Sequence, residues 1–169
     1  MSTAAPVGVD RESFRRAIGC LATGVTVITT VFEGRPVGMT ASAVSSLSLD
    51  PVMLLACVSR RLPTHAALDA SRRFTVNVLA DDQEWLARRF ATPMEDKFAG
   101  VELVAGHELP VLADAVAHFT CHVEERLPGG DHSIFTGRVT ECESRGAERD
   151  PLLYFRGRFG AWEDGVRRA

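Results

Sequence analysis

The sequence predicts a mainly β protein, a mostly antiparallel barrel carrying a few short helices. Three observations carry this reading. Stretches rich in β-branched and apolar residues recur at strand length, as in VTVITTVF (25–32), VMLLACV (52–58) and FTVNVL (74–79). Regular helices do not separate them, which disfavours a doubly wound parallel sheet and favours antiparallel closure. The chain also has no GxGxxG after a strand, no GxxxxGK[ST], no HExxH and no GxSxG. Any dinucleotide chemistry must therefore proceed without a Rossmann fingerprint.

Taken in order, Asp10 is a good N-cap for a short helix, with Phe14, Ala17, Ile18 and Leu21 at helical spacing and Thr23-Gly24 ending it. Val25 to Phe32 is a strand, and Glu33-Gly34-Arg35 turns the chain into an extended stretch from Val37 to Leu47. Asp50-Pro51 breaks the chain. Val52 to Val58 is continuously apolar, as expected of a strand buried on both faces. A loop over 59–63 leads to a helix from Pro63 to about Ala70, then a strand from Phe74 to Leu79. Asp81 or Asp82 caps a helix carrying Trp85, Leu86, Arg89 and Phe90. Residues 91–110 are irregular, with a short strand over Val101 to Val104. Three long strands follow, Val116 to Arg126, His132 to Cys142 and Leu152 to Phe159, the first two joined by a Pro-Gly-Gly-Asp turn.

A length of 169 residues suits one domain, assigned to 10–162 between flexible ends at 1–9 and 163–169. With 46% hydrophobic and 24% charged residues, the chain can offset its ordering entropy, so disorder is not expected. The charge of −3 argues against general nucleic-acid affinity. No apolar run approaches the roughly 18 residues of a membrane span. The N-terminal MSTAAPVGVDRESF lacks the pattern of a signal peptide. Cys20, Cys57, Cys121 and Cys142 are widely spaced with no CxxC pair, as in reduced and mostly buried thiols, so a cytoplasmic setting is expected.

Several clusters could carry chemistry. His118 and His122 share one face of a strand but stand about 13 Å apart, too far for one zinc ion, and Cys121 points the other way. No metal site is expected. The run Thr40 to Ser48 follows Pro36-Val37-Gly38-Met39; its small and hydroxylic residues suit either a flat ligand lying on the backbone or the solvent face of an edge strand. Thr64 opens a helix beside Arg60 and Arg61, an arrangement for an anion or a solvated basic loop. His132 follows a glycine turn at a strand mouth, where it can contact a bound ring or lie on the surface. Tyr154-Phe155-Arg156-Gly157 could stack on a ring and hold phosphate, or form an ordinary terminal strand.

Together, in order and spacing, FRRAIGCLATGVTVITT, PVGMTASAVSSLSLDP, FTVNVL, RFATPMEDKFAG, GGDHSIFTGRV and PLLYFRGRF resemble the flavin reductase-like family over roughly Arg11 to Trp162. Its members are short-chain NAD(P)H:flavin oxidoreductases, the small components of two-component flavin-dependent monooxygenases. The resemblance implies an FMN-binding split β-barrel of Greek-key type, working as a homodimer. It implies FMN or FAD as flavin, NADH or NADPH as donor, and delivery of reduced flavin to a separate monooxygenase. It assigns flavin contacts to Pro36, Val37, Gly38, Met39, Thr40, Ser42, Ala43, Cys57, Val58 and Ser59, with Pro63 and Thr64 near the phosphate and Arg89 and Phe90 in a further contact region. It places His132 of Gly130-Asp131-His132 near the nicotinamide, as the active-site residue, and Tyr154, Phe155, Arg156 and Gly157 along the nicotinamide dinucleotide. Lys97 is left as a phosphate contact or a surface charge. Val52 stands where many relatives have a second proline, a departure that touches only the turn. Two alternatives, a non-catalytic FMN-binding split-barrel protein and a pyridoxamine-phosphate-oxidase-like oxidase, explain the flavin stretch but not the Gly-Asp-His and Tyr-Phe-Arg-Gly segments.

Overall fold

A computed structural model describes residues 8–145 and 149–161. Of the ends expected to be flexible, only Gly8 and Val9 fall among these; 1–7 and 163–169 lie outside the described residues, as does the domain's last residue at 162.

Asp10 caps the first helix, α1 (Arg11–Ile18), by accepting the N–H groups of Glu12 and Ser13 at 3.0 and 2.9 Å. These bonds, the one from Ser13 foremost, hold its carboxyl below the usual range. The helix ends at Gly19, before the expected Thr23-Gly24, which instead form the short strand β1 (Thr23–Gly24). β2 (Thr26–Phe32) and β3 (Arg35–Ala41) make a hairpin whose turn residues Glu33 and Gly34 both have positive φ, 50° and 75°. That primed-turn geometry matches strand twist.

The stretch expected to run unbroken from Val37 to Leu47 is divided at Ser42–Ala43 into β3 and β4 (Val44–Leu49). Pairing partners change at the break while alternation continues, so the division leaves no mark on periodicity. β5 (Val52–Ser59) is not buried on both faces. Leu54, Ala56 and Val58 point into the core, and Met53, Leu55 and Cys57 form a half-buried outer face.

After α2 (Pro63–Ser71) and β6 (Arg73–Val78), a 3-10 turn at Asp81–Gln83 leads into α3 (Glu84–Ala91). The aspartates do not cap it. Gln83 Oε1 accepts the Ala80 N–H at 2.9 Å, and Asp82 pairs with Arg149. The irregular stretch contains only an isolated bridge, Leu103 to Leu112, where a short strand was expected. β7 (Ala117–Gly129) and β8 (His132–Ser144) form a long hairpin. The last expected strand is itself a hairpin, β9 (Leu152–Phe155) and β10 (Arg158–Ala161), because Arg156 and Gly157 take positive φ of 49° and 78°.

Seven strands pair in the order β3-β2-β6-β7-β8-β5-β4, and a smaller sheet runs β1-β9-β10. All these pairings are antiparallel. The large sheet rolls up, since Ile28 and Met39 from one side share a core with Leu54, Ala56 and Val58 from the other, around Phe74 and Phe135. A second core outside β2 and β6 joins Val25, Val27 and Leu79 to Leu86 and Phe90 of α3, Leu112 and Leu152. Each large side chain fully buried there contributes about 1.5–3 kcal/mol. Asn77 fixes the 110–112 segment: its Nδ2 donates to the Val27 carbonyl and Thr29 Oγ1, and its Oδ1 accepts the Leu112 N–H at 2.8 Å. Among the described residues no helix is long and apolar enough to cross a membrane.

All four cysteines are free, yet only Cys121 is fully buried. Cys20 and Cys142 are exposed, because α1 is uncovered and the end of β8 faces outward. Burial pushes the Cys121 thiol up to about 12, so it carries almost no thiolate near neutral pH. Alkylation of the native protein is therefore expected at Cys20 and Cys142 and at Cys121 only after unfolding, a pattern read by peptide mass mapping.

Candidate active site

The outer face of β3 is built from Pro36, Gly38 and Thr40, because their neighbours Met39 and Ala41 point into the barrel core. This face forms one wall of a cavity of about 500 Å³. The other walls are Leu62 to Thr64 at the start of α2, Phe90 and Ala91 at the end of α3, and the segment 93–98. The volume suits a small organic ligand.

Gly38 sets the depth of the cleft. A Cβ there would lie 2.8 Å from Phe90 Cε1 and 3.1 Å from the Ile28 carbonyl oxygen. Phe90 has little room to yield, being 1% exposed and packed edge-on against Phe98 with ring centroids 5.0 Å apart. Thr40 Oγ1 donates to the Ala87 carbonyl at 2.6 Å, tying β3 to α3.

Lys97 is a wall residue, not a surface charge. Its Nζ donates to the Phe90 carbonyl at 2.7 Å, and burial lowers its pKa. Arg89 is not among the residues that line the cavity. Its guanidinium donates to the carbonyls of Lys97 and Ala99, both at 2.7 Å, and so braces the segment that carries Lys97 and Phe98.

Of the residues assigned to the flavin, Pro36 to Thr40, Pro63, Thr64 and Phe90 come together in this cavity. Ser42 and Ala43 follow at the end of β3, where the Ala43 carbonyl accepts the Cys57 N–H at 2.9 Å. Val58 points into the barrel core and does not line this cavity. Ser59 pairs with His132 across β5 and β8, and the Arg60 N–H donates to the Asp131 carbonyl at 3.1 Å. The Gly-Asp-His turn is thereby fastened to the loop that runs into Leu62-Pro63-Thr64. Its His132 side chain is 43% exposed, and Nδ1 lies 2.7 Å from Asp131 Oδ1, which orients the ring. That bond holds the Asp131 carboxyl below its ordinary range.

Tyr154 to Gly157 are outside these walls. Phe155 and Arg156 line a second, open depression with Phe159, the Arg156 guanidinium lying 4.9 Å above the Phe155 ring. Sequence reasoning did not single out Leu62, Ala91 or the wall 93–96 and 98, although all but Leu62 lie within the RFATPMEDKFAG motif. It also missed His65, whose Nε2 lies 2.9 Å from Ser133 Oγ one residue beyond His132. Desolvation lowers the His65 pKa.

The chain matches the flavin reductase like domain over residues 18–163. It belongs to the flavin reductase-like family. One flavin reductase-like relative is the reductase component of 4-nitrophenol 4-monooxygenase/4-nitrocatechol 2-monooxygenase from Rhodococcus opacus, 45% identical over 152 residues, covering 90% of this chain and 81% of that one. Another, the NADH-dependent FAD reductase of Streptomyces globisporus, is 42% identical over 156 residues, covering 89% of this chain and 85% of that one. The structure of the Streptomyces globisporus NADH:FAD oxidoreductase SgcE6 in complex with NAD and FAD fragments superposes with a TM-score of 0.88 at 38% identity, covering 98% of this chain and 99% of that one. Its match confirms the split-barrel architecture expected of a flavin reductase-like protein.

Proposed function

We propose that this chain is an NAD(P)H-dependent flavin reductase that reduces FMN or FAD, with NADH as its donor, and supplies reduced flavin to a separate monooxygenase. It works in the cytoplasm as a homodimer, each copy a single domain over 10–162. The observation that carries the reading is the convergence of Pro36 to Thr40, Thr64 and Phe90 on one cavity with a half-buried amine at its wall. The exposed Leu47 and Leu49 on the edge strand β4, with Val52 paired beside Leu49, support pairing of two copies.

The cavity's residues fit a flavin. Pro36 and Phe98 offer apolar surface to a flat ring, and Gly38, having no Cβ, lets Phe90 pack against β3 behind them. Lys97 uses one of its three donors on Phe90, which leaves others for an anionic group. When both cofactors are bound, hydride passes from C4 of the nicotinamide to N5 of the flavin. The chain positions the rings and needs no nucleophile and no general base, because the remaining proton exchanges with water. His132, oriented by Asp131, holds the nicotinamide.

Mixing the protein with NADH and free FMN or FAD tests the reading. Flavin-stimulated loss of the nicotinamide absorbance is expected, and none with NADH or NADPH would overturn it. His132→Ala is expected to raise the apparent KM for NADH or to slow hydride transfer, with flavin affinity nearly kept. Unchanged steady-state constants for both ligands would remove that role. Lys97→Met is expected to weaken flavin binding about tenfold, as read by flavin fluorescence titration, the scale of one lost charge-assisted hydrogen bond.

A further inference from the structure

We propose that His107, His118 and Glu141 form a binding site for a divalent transition-metal ion, with zinc as the fitting species. Three elements build it: His118 on β7, Glu141 on β8, and His107 in the irregular segment that crosses them. One ligand atom from each lies within 4.8 Å of the other two.

Two features separate this cluster from a chance meeting of polar residues. His107 Nδ1 stands 3.2 Å from Glu141 Oε1. A tetrahedral ion with bonds of about 2.0–2.2 Å holds its ligand atoms roughly 3.3–3.6 Å apart, so this pair is within a few tenths of an ångström of the spacing of two ligands on one ion. The second feature is His118 itself. It is 6% exposed, and its Nε2 is sealed from solvent with no hydrogen-bond partner. A buried ring nitrogen of that kind carries a desolvation cost without a compensating bond.

The surroundings keep the lone pair available. Burial first, and then the neighbouring His107, lower the His118 pKa, while Glu141 and Glu143 oppose the shift. The two imidazoles pack at 79° with centroids 5.2 Å apart, and ligand atoms within 4.8 Å of one another need to close by about 1 Å to reach the roughly 3.3–3.6 Å of a tetrahedral ion. Two imidazoles and one carboxylate suit zinc rather than calcium or magnesium, which take oxygen ligands. Water would complete the tetrahedron.

His122, which the sequence paired with His118, is exposed on the same strand and takes no part. The ion would pin the crossing segment to β7 and β8. Eleven residues separate His118 from Gly129, roughly 35 Å along β7, so the site stands well away from the Gly-Asp-His turn. It does not depend on the flavin reading.

The test titrates zinc chloride into the metal-stripped full chain carrying Cys20→Ser and Cys142→Ser, which removes the exposed thiols. Calorimetry and the thermal midpoint are the readouts. The expected result is one saturable ion per chain and a raised midpoint. His107→Ala and Glu141→Gln should each weaken binding at least about tenfold, since loss of an outer-shell partner already costs that much. Glu141 is half-exposed, so its variant reads the site without disturbing the core. No saturable binding at one ion per chain, or undiminished affinity in either variant, would overturn the proposal.

Discussion

Gly38→Ala is expected to raise the flavin dissociation constant about ten- to a hundredfold. The added methyl would sit 2.8 Å from Phe90 Cε1 and 3.1 Å from the Ile28 carbonyl oxygen. The Ile28 carbonyl is part of the sheet and does not yield. Phe90 is 1% exposed and packed against Phe98, so it can yield only by shifting its neighbours at the cavity wall. Overpacking of this kind costs about 1–3 kcal/mol, and flavin would have to reverse the displacement on binding. At about 1.4 kcal/mol per factor of ten, that gives the stated range. Fluorescence titration of flavin with wild type and variant measures it. Equal dissociation constants would mean that the flavin does not occupy the cleft between β3 and α3.

Phe90→Ala is expected to lower the unfolding free energy by about 3–5 kcal/mol, the range for deleting a buried aromatic side chain. The ring is 1% exposed, joins the second core and packs edge-on against Phe98. Its loss opens the cavity toward α3 and frees Phe98, so flavin binding should weaken as well. Urea unfolding gives the first quantity and flavin titration the second. A loss under about 1 kcal/mol would place the ring outside the core that joins α3 to the barrel.

The elements readable in the sequence are those whose signal is local. The Asp10 cap needs only its own side chain and the next turn of backbone. Glu33-Gly34 carries its turn chemistry in two residues, and Gly130, with φ of 66°, does the same for the β7–β8 hairpin. The misread elements depend on partners distant in the chain. Val52 to Val58 looks evenly apolar, but which residues face the core depends on β4 and β8 flanking that strand. Asp82 looks like a cap and is instead claimed by Arg149. Arg156, a non-glycine residue, takes a positive φ, which composition alone does not announce.

The site divides the same way. Pro36 to Thr40, Thr64 and Phe90 were legible because their motifs are contiguous and their order matches a family. Lys97 was ambiguous because its partner, the Phe90 carbonyl, is backbone and leaves no trace in residue type. Arg89 was assigned to flavin contact, and the carbonyls it braces are equally invisible. His107 lies in an irregular stretch, so its meeting with His118 and Glu141 depends wholly on the fold.

A crystal structure of the protein soaked with FAD and NAD tests the central claim most directly. The flavin ring should lie against Gly38 to Thr40, with Lys97 beside an anionic group and His132 touching the nicotinamide. Flavin seated instead over the depression beside Phe155 and Arg156, with the β3 cavity unused, would contradict it.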